Sequence, residues 1–479
     1  MPSLISSVPT TSLNPDHFLA PREVASCLGV RHQLGAQKRQ ISGAPGGGDS
    51  APSFEMMEFD VDVHSGFLPS STPIARFEQA PWTVWEDALD SMKGFRVGTG
   101  ESENAQISIW RSYIRQKMEV LDIEPLKNDI ALLRRAHVVL AFLTHAYVHL
   151  ENADEAAKDG FSVLVPRSIS IPFCAVSEAL DMPPVLTYAD TVLYNWSLID
   201  PSAGFEASNI HIPTTFTATD SEAHFFKTSV LVEALGPACL ALMRSSLDEA
   251  FLGDALSIRR ICRNLGQLSK MIDQITQVLQ DVRTDCDPRT FYWEIRPWFN
   301  GGEWTMEGVP SKDNQKLDGS RSESGWRVCN LGGPSAGQST LIHAIDIFLD
   351  VNHRPNEAEI KAGARKEDTF MSRMSLVLAS EEDSELRTSY NLTIKSMEKL
   401  RNAHSRIAIL YIVSQSRVEP PEGSSFHLRW KVKMETEKVN RHLNSSVDGS
   451  TNEVHSGTGG TDLAKFLKRC RQRTIQNLV

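Results

Sequence analysis

The segment SMEKLRNAHSRIAILYIV places a histidine among apolar residues at helical spacing. Five of its residues recur every three or four positions and therefore share one face of a predicted helix: Met397, Leu400, His404, Ile407 and Tyr411. An imidazole in apolar surroundings stays neutral and keeps a lone pair for a metal, as the proximal histidine of haem proteins does. Taken alone, the pattern is more typical of a hydrogen-bonded core histidine.

Two arginines have the chemistry to bind a carboxylate. Arg401 lies nearly one turn before His404, and its planar guanidinium matches the geometry of a haem propionate. In DPRTFYWEIRPWF, Pro297 disfavours helical dihedral angles at Arg296, so we expect the helix to end there and leave the guanidinium at a pocket rim. The alternative for Arg296 is a surface cation near a helix C-terminus, where the helix dipole favours it.

Three other patterns predict less. His145 and His149 have metal-ligand spacing, but HAYVH lacks the glutamate of HExxH and no third ligand is evident. His343, in TLIHAIDIF, is a rival neighbour for a haem, and we interpret it as a packing histidine with satisfied hydrogen bonds. The stretch GGPSAGQST resembles a phosphate loop, but it lacks the lysine and follows no clear strand.

The elements that must position these residues are predicted to be helices. Long stretches from about residue 80 carry apolar residues every three or four positions, and strand-like alternation is scarce. We therefore predict an all-α fold with two helical domains. The predicted divisions are a Pro-, Ser- and Gly-rich arm at 1–53, a small helical domain at 54–200, a polar linker at 201–222 and a large helical domain at 223–479. Two charged stretches, 300–330 and 416–456, are predicted to be surface loops.

Composition narrows the class of protein. The 479 residues are 41% hydrophobic, enough for a full core, and the net charge of -11 has no basic run that would favour nucleic acid or an anionic membrane. The seven cysteines are scattered and include no CxxC pair, which favours a reducing, intracellular compartment. We find no apolar run of membrane-spanning length and no secretory signal, and we expect a cytoplasmic protein. A short organelle-targeting peptide within residues 1–40 stays open.

Six blocks, taken together, resemble the indoleamine 2,3-dioxygenase family in order and spacing. They cover parts of residues 130–479, and the first fifty or so residues carry none of the match. The blocks are PPVLTYADTVLYNW (183–196), HFFKTSVLVEA (224–234), DPRTFYWEIRPWF (287–299), LGGPSAGQSTLIHAIDIFLDV (331–351), LRNAH (400–404) and GTGGTDLAKF (457–466).

The resemblance implies a small N-terminal domain that caps a large helical domain holding haem b. It implies His404 as the proximal iron ligand, Arg401 on a propionate, and Asp346 supporting that arginine from a neighbouring helix. It also implies roles for ten further residues. Those that line the distal pocket are Tyr188, Phe225, Ser229, Phe291 and Tyr292, and Arg296 binds the substrate carboxylate. Those that approach the haem edge are Ser335, Ala336 and Gly337, and Thr458 closes over the substrate. Taken singly, most of these residues would be interpreted as packing.

The activity that the resemblance implies is insertion of dioxygen across the indole C2–C3 bond of L-tryptophan, giving N-formylkynurenine, the first step of the kynurenine pathway towards NAD. The distal blocks contain no matching histidine, which implies no general base from the protein. An external reductant and a monomeric state are expected. The family has phenylalanine where Tyr292 stands, which leaves room for an altered substrate specificity. The alternative function is therefore that of a haem-binding relative that acts on another indoleamine or serves as a haem-dependent sensor. A helical interaction module without cofactor would require the matches to be coincidental.

Overall fold

Most of the described chain is α-helical. The computed structural model describes residues 61–95, 101–150, 163–311, 325–351, 384–420 and 463–478. In these ranges the longer helices are α1 Thr83–Met92, α2 Glu101–Gln116, α3 Ile130–His149, α4 Arg167–Ala179, α5 Asp220–Ala234, α6 Gly236–Leu252, α7 Ala255–Gln280, α8 Thr340–Phe348, α9 Ser384–Ala408 and α10 Leu463–Gln476. The predicted all-α fold is confirmed, with a small sheet in addition. The predicted arm at 1–53 lies outside the described residues.

Capping side chains fix where helices α3 and α5 begin. Asp129 accepts the backbone N–H groups of Ala131 and Leu132 at the start of α3. The Thr219 hydroxyl accepts the N–H of Glu222 in the first turn of α5. Because the first N–H groups of a helix have no partner within it, such caps stabilise a helix start by about 1 kcal/mol each.

The chain also forms short strands, and here the expectation of a surface loop at 300–330 was wrong in its described part. Strand β4 (Gly302–Pro310) pairs in parallel with β1 (Val163–Val165) and antiparallel with β5 (Trp326–Leu331). Trp304 and Met306 are fully buried and alternate with outward residues, which is the period of a half-buried strand. Charged and glycine residues around them hid that short alternation. Two further strands of two residues each, β2 (Ser197–Leu198) and β3 (Ile210–His211), pair antiparallel.

Two buried apolar clusters meet along α5 and α9. The first contains Phe226 of α5 and Tyr411, which follows α9. The second contains Leu235, directly after α5, and Leu400 of α9. Helix α9 packs along α7, and α6 packs against α7 as well. The seam between the two clusters therefore crosses α5 and α9, the helices that carry several predicted site residues.

One helical stretch corrects the expectation that no apolar run has membrane-spanning length. By length and composition alone, residues 220–252 could cross a membrane. It is not an uninterrupted apolar run, because charged residues such as Glu233 and Arg244 divide it; α5 and α6 form it together, joined at Leu235. Since 61% of its most apolar window is buried inside the protein, its composition has a sufficient explanation in core packing.

The predicted domain division stays a prediction. The first cluster draws buried residues from both sides of the proposed linker, such as Phe142 and Phe291. Ile212 and Phe216, within the linker at 201–222, are buried as well. Although the composition of this linker is polar, some of its apolar side chains pack into the protein core.

Candidate functional site

His404 lies on α9 where the two clusters meet. Its neighbours on the helix face are Leu400, in the second cluster, and Ile407, which packs against the first. The side chain is only half-buried, yet burial lowers its pKa, and the nearby Arg401 lowers it further. The ring is therefore neutral near pH 7, and among the described residues it has no hydrogen-bond partner.

Arg401 and Asp346 form the ion pair that the resemblance implies. The Arg401 Nη2 donates to both carboxylate oxygens of Asp346, at 2.5 and 2.6 Å. Asp346 is only 3% exposed, on α8, so the pair joins α8 to α9 one turn from His404. A charge-assisted pair in such a dry place holds the guanidinium in one orientation.

These residues fit a haem group. A neutral, half-buried imidazole that lacks a hydrogen-bond partner in the described chain offers its lone pair to iron. Arg401, held by Asp346, offers a fixed cation to a propionate. The described residues contain no group of three or more His, Cys, Asp or Glu that could hold a bare metal ion. A single histidine among apolar side chains suits a metal whose other ligands come from a macrocycle.

Phe225 and Phe291, predicted for the distal pocket, contact each other. Their ring centroids are 4.7 Å apart, with Phe225 on α5 and Phe291 in a short helical turn. Phe299 lies 6.1 Å from Phe225. Tyr411, seven residues after His404, meets the Phe291 ring edge-on at 5.6 Å. The chain that continues α9 therefore contacts the predicted distal aromatic directly.

Arg296 lies over the face of Tyr292. The guanidinium carbon is 5.6 Å from the ring centroid, and burial lowers the pKa of this arginine. The expectation that Pro297 takes Arg296 out of helical dihedral angles was wrong, because Arg296 has φ -53° and ψ -36°. A π-helical turn (Phe291–Ile295) passes here into a 3-10 helix (Arg296–Phe299). In the first turn of the new helix the missing N–H of proline costs nothing.

Tyr188 is joined to the loop that contains Ser335 and Ala336. Its backbone N–H donates to Oε1 of Gln338, at 2.9 Å. Ser335 and Gln338 close this loop by a reciprocal capping box, and the Ser335 hydroxyl accepts the N–H of Gly337. Ala336 is exposed. The loop is thus a closed 3-10 turn next to the predicted pocket wall.

Short π-helical turns lie at two of the predicted positions and directly after α9. Ala189–Leu193 follows Tyr188, Phe291–Ile295 begins at Phe291, and Ile409–Val413 directly follows α9. A π turn shifts the direction of the side chains that follow it and is frequent at functional sites. Hydrophobic periodicity of 3.6 residues does not reveal such turns.

The remaining predicted residues divide into three cases. Ser229 is half-buried on α5, one turn after Phe225. Thr458 lies outside the described residues. His343 was expected to be a packing histidine with satisfied hydrogen bonds. Its side chain is exposed, so the packing part was wrong, but its Nε2 does contact the carbonyl oxygen of Gly337 at 2.8 Å.

His145 and His149 have structural partners. The two ring nitrogens of His145 contact the Trp298 carbonyl oxygen and the Leu186 backbone N–H. His149 Nε2 contacts the Asn300 carbonyl oxygen at 2.9 Å. The spacing of four therefore aligns both rings along the segment that follows Arg296.

Sequence reasoning missed Glu233 and Gln338, which accept hydrogen bonds from Tyr188, the predicted pocket wall. It also gave Tyr411 no role. Glu233 had a signal, because it follows Ser229 by four residues on the same helix face. Tyr411 stood in the His404 stripe, but its contact with Phe291 depends on packing between distant segments. Gln338 had no signal beyond its place in the loop.

Comparisons with known proteins bear on the whole arrangement. The family model described as indoleamine 2,3-dioxygenase matches residues 55–382 and 375–477. Over 452 residues, 87% of this chain and 92% of the relative, the chain is 27% identical to an indoleamine 2,3-dioxygenase of Saccharomyces cerevisiae. It is 28% identical to indoleamine 2,3-dioxygenase 1 of Rattus norvegicus, over 76% of this chain and 84% of the relative. It is 26% identical to a 6-hydroxytryptophan 2,3-dioxygenase of Fusarium equiseti, over 88% of this chain and 97% of the relative.

Proposed function

Because the chain belongs to the indoleamine 2,3-dioxygenase family, and is thus a haem-dependent dioxygenase, we propose that its substrate is L-tryptophan and its product N-formylkynurenine. The observation that carries the proposal is His404, a neutral, half-buried imidazole with no hydrogen-bond partner among the described residues, beside the Arg401–Asp346 pair. His404 would bind the iron of haem b, and Arg401 a propionate. Ser335 would lie at the edge of the haem.

Bound haem would supply the iron chemistry that activates dioxygen. In the proposed reaction both oxygen atoms enter the product and the C2–C3 bond of the indole breaks, so no net electrons are consumed. A reductant is needed only to keep the iron ferrous. We assign this reductant to an external partner of the protein.

The proposed roles of the chain are to bind, orient and exclude water. Phe225 and Phe291, in mutual contact, would stack the indole in an apolar pocket. Arg296 would hold the substrate carboxylate; its burial strengthens such a pair because little water competes. Tyr188 and Ala336 would form the wall and the small-residue side of the pocket.

Two further residues complete the proposed pocket. The Ser229 hydroxyl would face the substrate from α5, one turn from Phe225. Thr458 would close over the substrate from its glycine-rich segment. Since the side chains placed around the indole are aromatic or small, they would orient it and would not move a proton.

Tyr292 favours a second candidate substrate, a substituted tryptophan or another indoleamine. Its ring lies under the Arg296 guanidinium, the proposed carboxylate clamp, and it carries a hydroxyl that the family's phenylalanine lacks. One relative of this chain is named for 6-hydroxytryptophan. If the chain binds haem but turns over neither tryptophan nor another indoleamine efficiently, its proposed role is that of a haem-dependent sensor.

The proposal extends to the setting of the enzyme. We propose a cytoplasmic monomer that catalyses the first step of the kynurenine pathway, towards NAD. These points follow from the expected family role.

Substrate competition tests the proposal. The full-length chain is reconstituted with haem, reduced, and given L-tryptophan, 6-hydroxytryptophan or tryptamine in air. Formation of N-formylkynurenine, with two oxygen-18 atoms from labelled dioxygen, is the expected result for tryptophan. Tryptamine lacks the carboxylate and should react poorly in the wild type; in Arg296→Ser the preference for tryptophan over tryptamine should disappear. Haem binding without turnover of tryptophan would contradict the proposed substrate.

A further inference from the structure

Glu233 is a buried carboxyl group on the same face of α5 as two proposed pocket residues. It follows Phe225 by eight residues and Ser229 by four, so the three side chains form one stripe along the helix. The Glu233 side chain is only 1% exposed. A buried carboxyl group on the inner face of a helix requires an explanation, because desolvating it is costly.

One oxygen of Glu233 joins three segments. Its Oε1 accepts a hydrogen bond from the Tyr188 hydroxyl, at 2.9 Å, and another from the Ser339 hydroxyl, at 2.6 Å. Ser339 directly precedes α8, and the backbone N–H of Tyr188 donates to Gln338 of the same loop. The pocket wall, the loop 335–339 and α5 therefore meet at a single atom.

The surroundings of Glu233 shift the pKa of its carboxyl group. Burial raises its pKa, while the hydroxyls of Ser339 and Tyr188 lower it by less. Tyr188 is the titratable group that faces it, and burial raises the pKa of that phenol as well. Oε2 is buried with no partner among the described atoms. Both hydrogen bonds therefore fall on Oε1 alone, which makes that oxygen the acceptor for two buried hydroxyl groups.

We propose that Glu233, through the one oxygen that accepts both hydroxyls, is the positioning residue that sets the ring of Tyr188 and the loop 335–339 against the tryptophan pocket. The proposal rests on the proposed function, because Tyr188 is the wall of that pocket. Glu233 does not touch the substrate. It acts through Tyr188 and Ser339, whose hydroxyl groups would otherwise be buried without an acceptor.

Two substitutions at Glu233 separate the effect of its hydrogen-bond acceptor from the effect of its side-chain volume. Glu233→Gln keeps a carbonyl oxygen for both hydroxyls and carries no charge, so the KM for tryptophan should stay within roughly twofold of wild type. Glu233→Leu keeps the volume and removes the acceptor, so the KM should rise by roughly tenfold, while haem content and helical circular dichroism are retained. The matched control is Thr228→Val on the same helix. Among the described residues the Thr228 hydroxyl donates only to the His224 carbonyl of its own helix, so its loss should leave the KM unchanged.

A cycle with Tyr188→Phe tests the connection itself. This change removes only the hydroxyl that Glu233 accepts, and it should raise the KM in wild type but have no further effect in Glu233→Leu. Equal effects in both backgrounds, an unchanged KM in Glu233→Leu, or Glu233→Gln behaving like Glu233→Leu would each overturn the proposal.

The same cycle in urea unfolding makes the result independent of turnover. The two substitutions should be non-additive, with roughly a threefold to tenfold difference in the unfolding constant. If wild type does not turn over tryptophan, the proposed substrate fails, and the unfolding cycle still decides whether Glu233 positions Tyr188. Additive effects there would overturn the positioning role even in an active enzyme.

Discussion

His145 predicts a specific loss of stability in mild acid. Its Nδ1 is 2.8 Å from the carbonyl oxygen of Trp298, and its Nε2 accepts the N–H of Leu186 at 3.2 Å. The Leu186 bond requires a lone pair on Nε2, and the Trp298 contact places the proton on Nδ1. The ring thus ties the segment two residues after Arg296 to the segment two residues before Tyr188, and it does so only while neutral.

The size of the effect follows from the pKa. Burial, with a smaller contribution from the neighbouring His149, lowers the pKa of His145 from 6.5 to about 3, although the Trp298 carbonyl and Asp190 partly oppose the shift. Below pH 6.5 the unfolded chain takes up a proton that the folded chain refuses, so folding stability falls as the pH falls and levels off only near pH 3. Each pH unit below 6.5 costs about 1.4 kcal/mol. At pH 5.5 the loss relative to pH 7.5 is therefore about 1.4 kcal/mol, whether the folded pKa is 3 or 4.

Urea unfolding of wild type and His145→Gln at pH 7.5 and 5.5 measures this loss. Glutamine can hydrogen-bond but does not titrate, so the variant should lose about 1.4 kcal/mol less than wild type between the two pH values. The control His343→Gln removes an exposed histidine and should keep the wild-type dependence. Parallel stability curves for wild type and His145→Gln would refute the reasoning.

Three further changes have defined outcomes. Arg296→Ser should lower kcat/KM for tryptophan by roughly tenfold to a hundredfold with haem content intact, because a charged hydrogen-bond donor is lost; unchanged kinetics would remove it from the site. Asp346→Asn leaves its arginine partner without a counter-charge, so urea unfolding should show a loss of about 3 kcal/mol and haem titration a weaker affinity; wild-type values in both would contradict the pairing. A Cβ on Gly333 would lie 1.9 Å from the carbonyl oxygen of Phe299, so Gly333→Ala should destabilise the fold by about 1–3 kcal/mol, whereas Gly337→Ala, with its nearest contact at 3.4 Å, should be tolerated; equal stabilities would be unexpected.

The sequence predicted the helical class and the faces of individual helices. The stripe that contains His404 and Tyr411 lies on one helical segment, as the three-and-four spacing predicted. Trp304 and Met306 were missed as strand residues, because two alternating positions among charged residues are a weak signal. At Arg296 the local rule for residues before proline gave way to the change from a π turn to a 3-10 helix.

The site was predictable where residues lie close in sequence and much less so where distant segments meet. Phe225 and Ser229 share a helix face by spacing alone, and the same spacing extends to Glu233. The bonds of Glu233 to Tyr188 and Ser339 join positions separated by 45 and 106 residues. Such contacts are set by the packing of whole helices, which periodicity in one sequence does not encode.

The most direct test of the central claim is the absorption spectrum of the haem-reconstituted, ferrous protein under carbon monoxide, before and after addition of L-tryptophan. If His404 binds the iron beside a tryptophan pocket, wild type gives a histidine-ligated haem spectrum that shifts with tryptophan. His404→Ala then loses haem while it keeps helical circular dichroism. A His404→Ala variant with stoichiometric haem and the wild-type spectrum, or a wild-type spectrum indifferent to tryptophan, would contradict the claim.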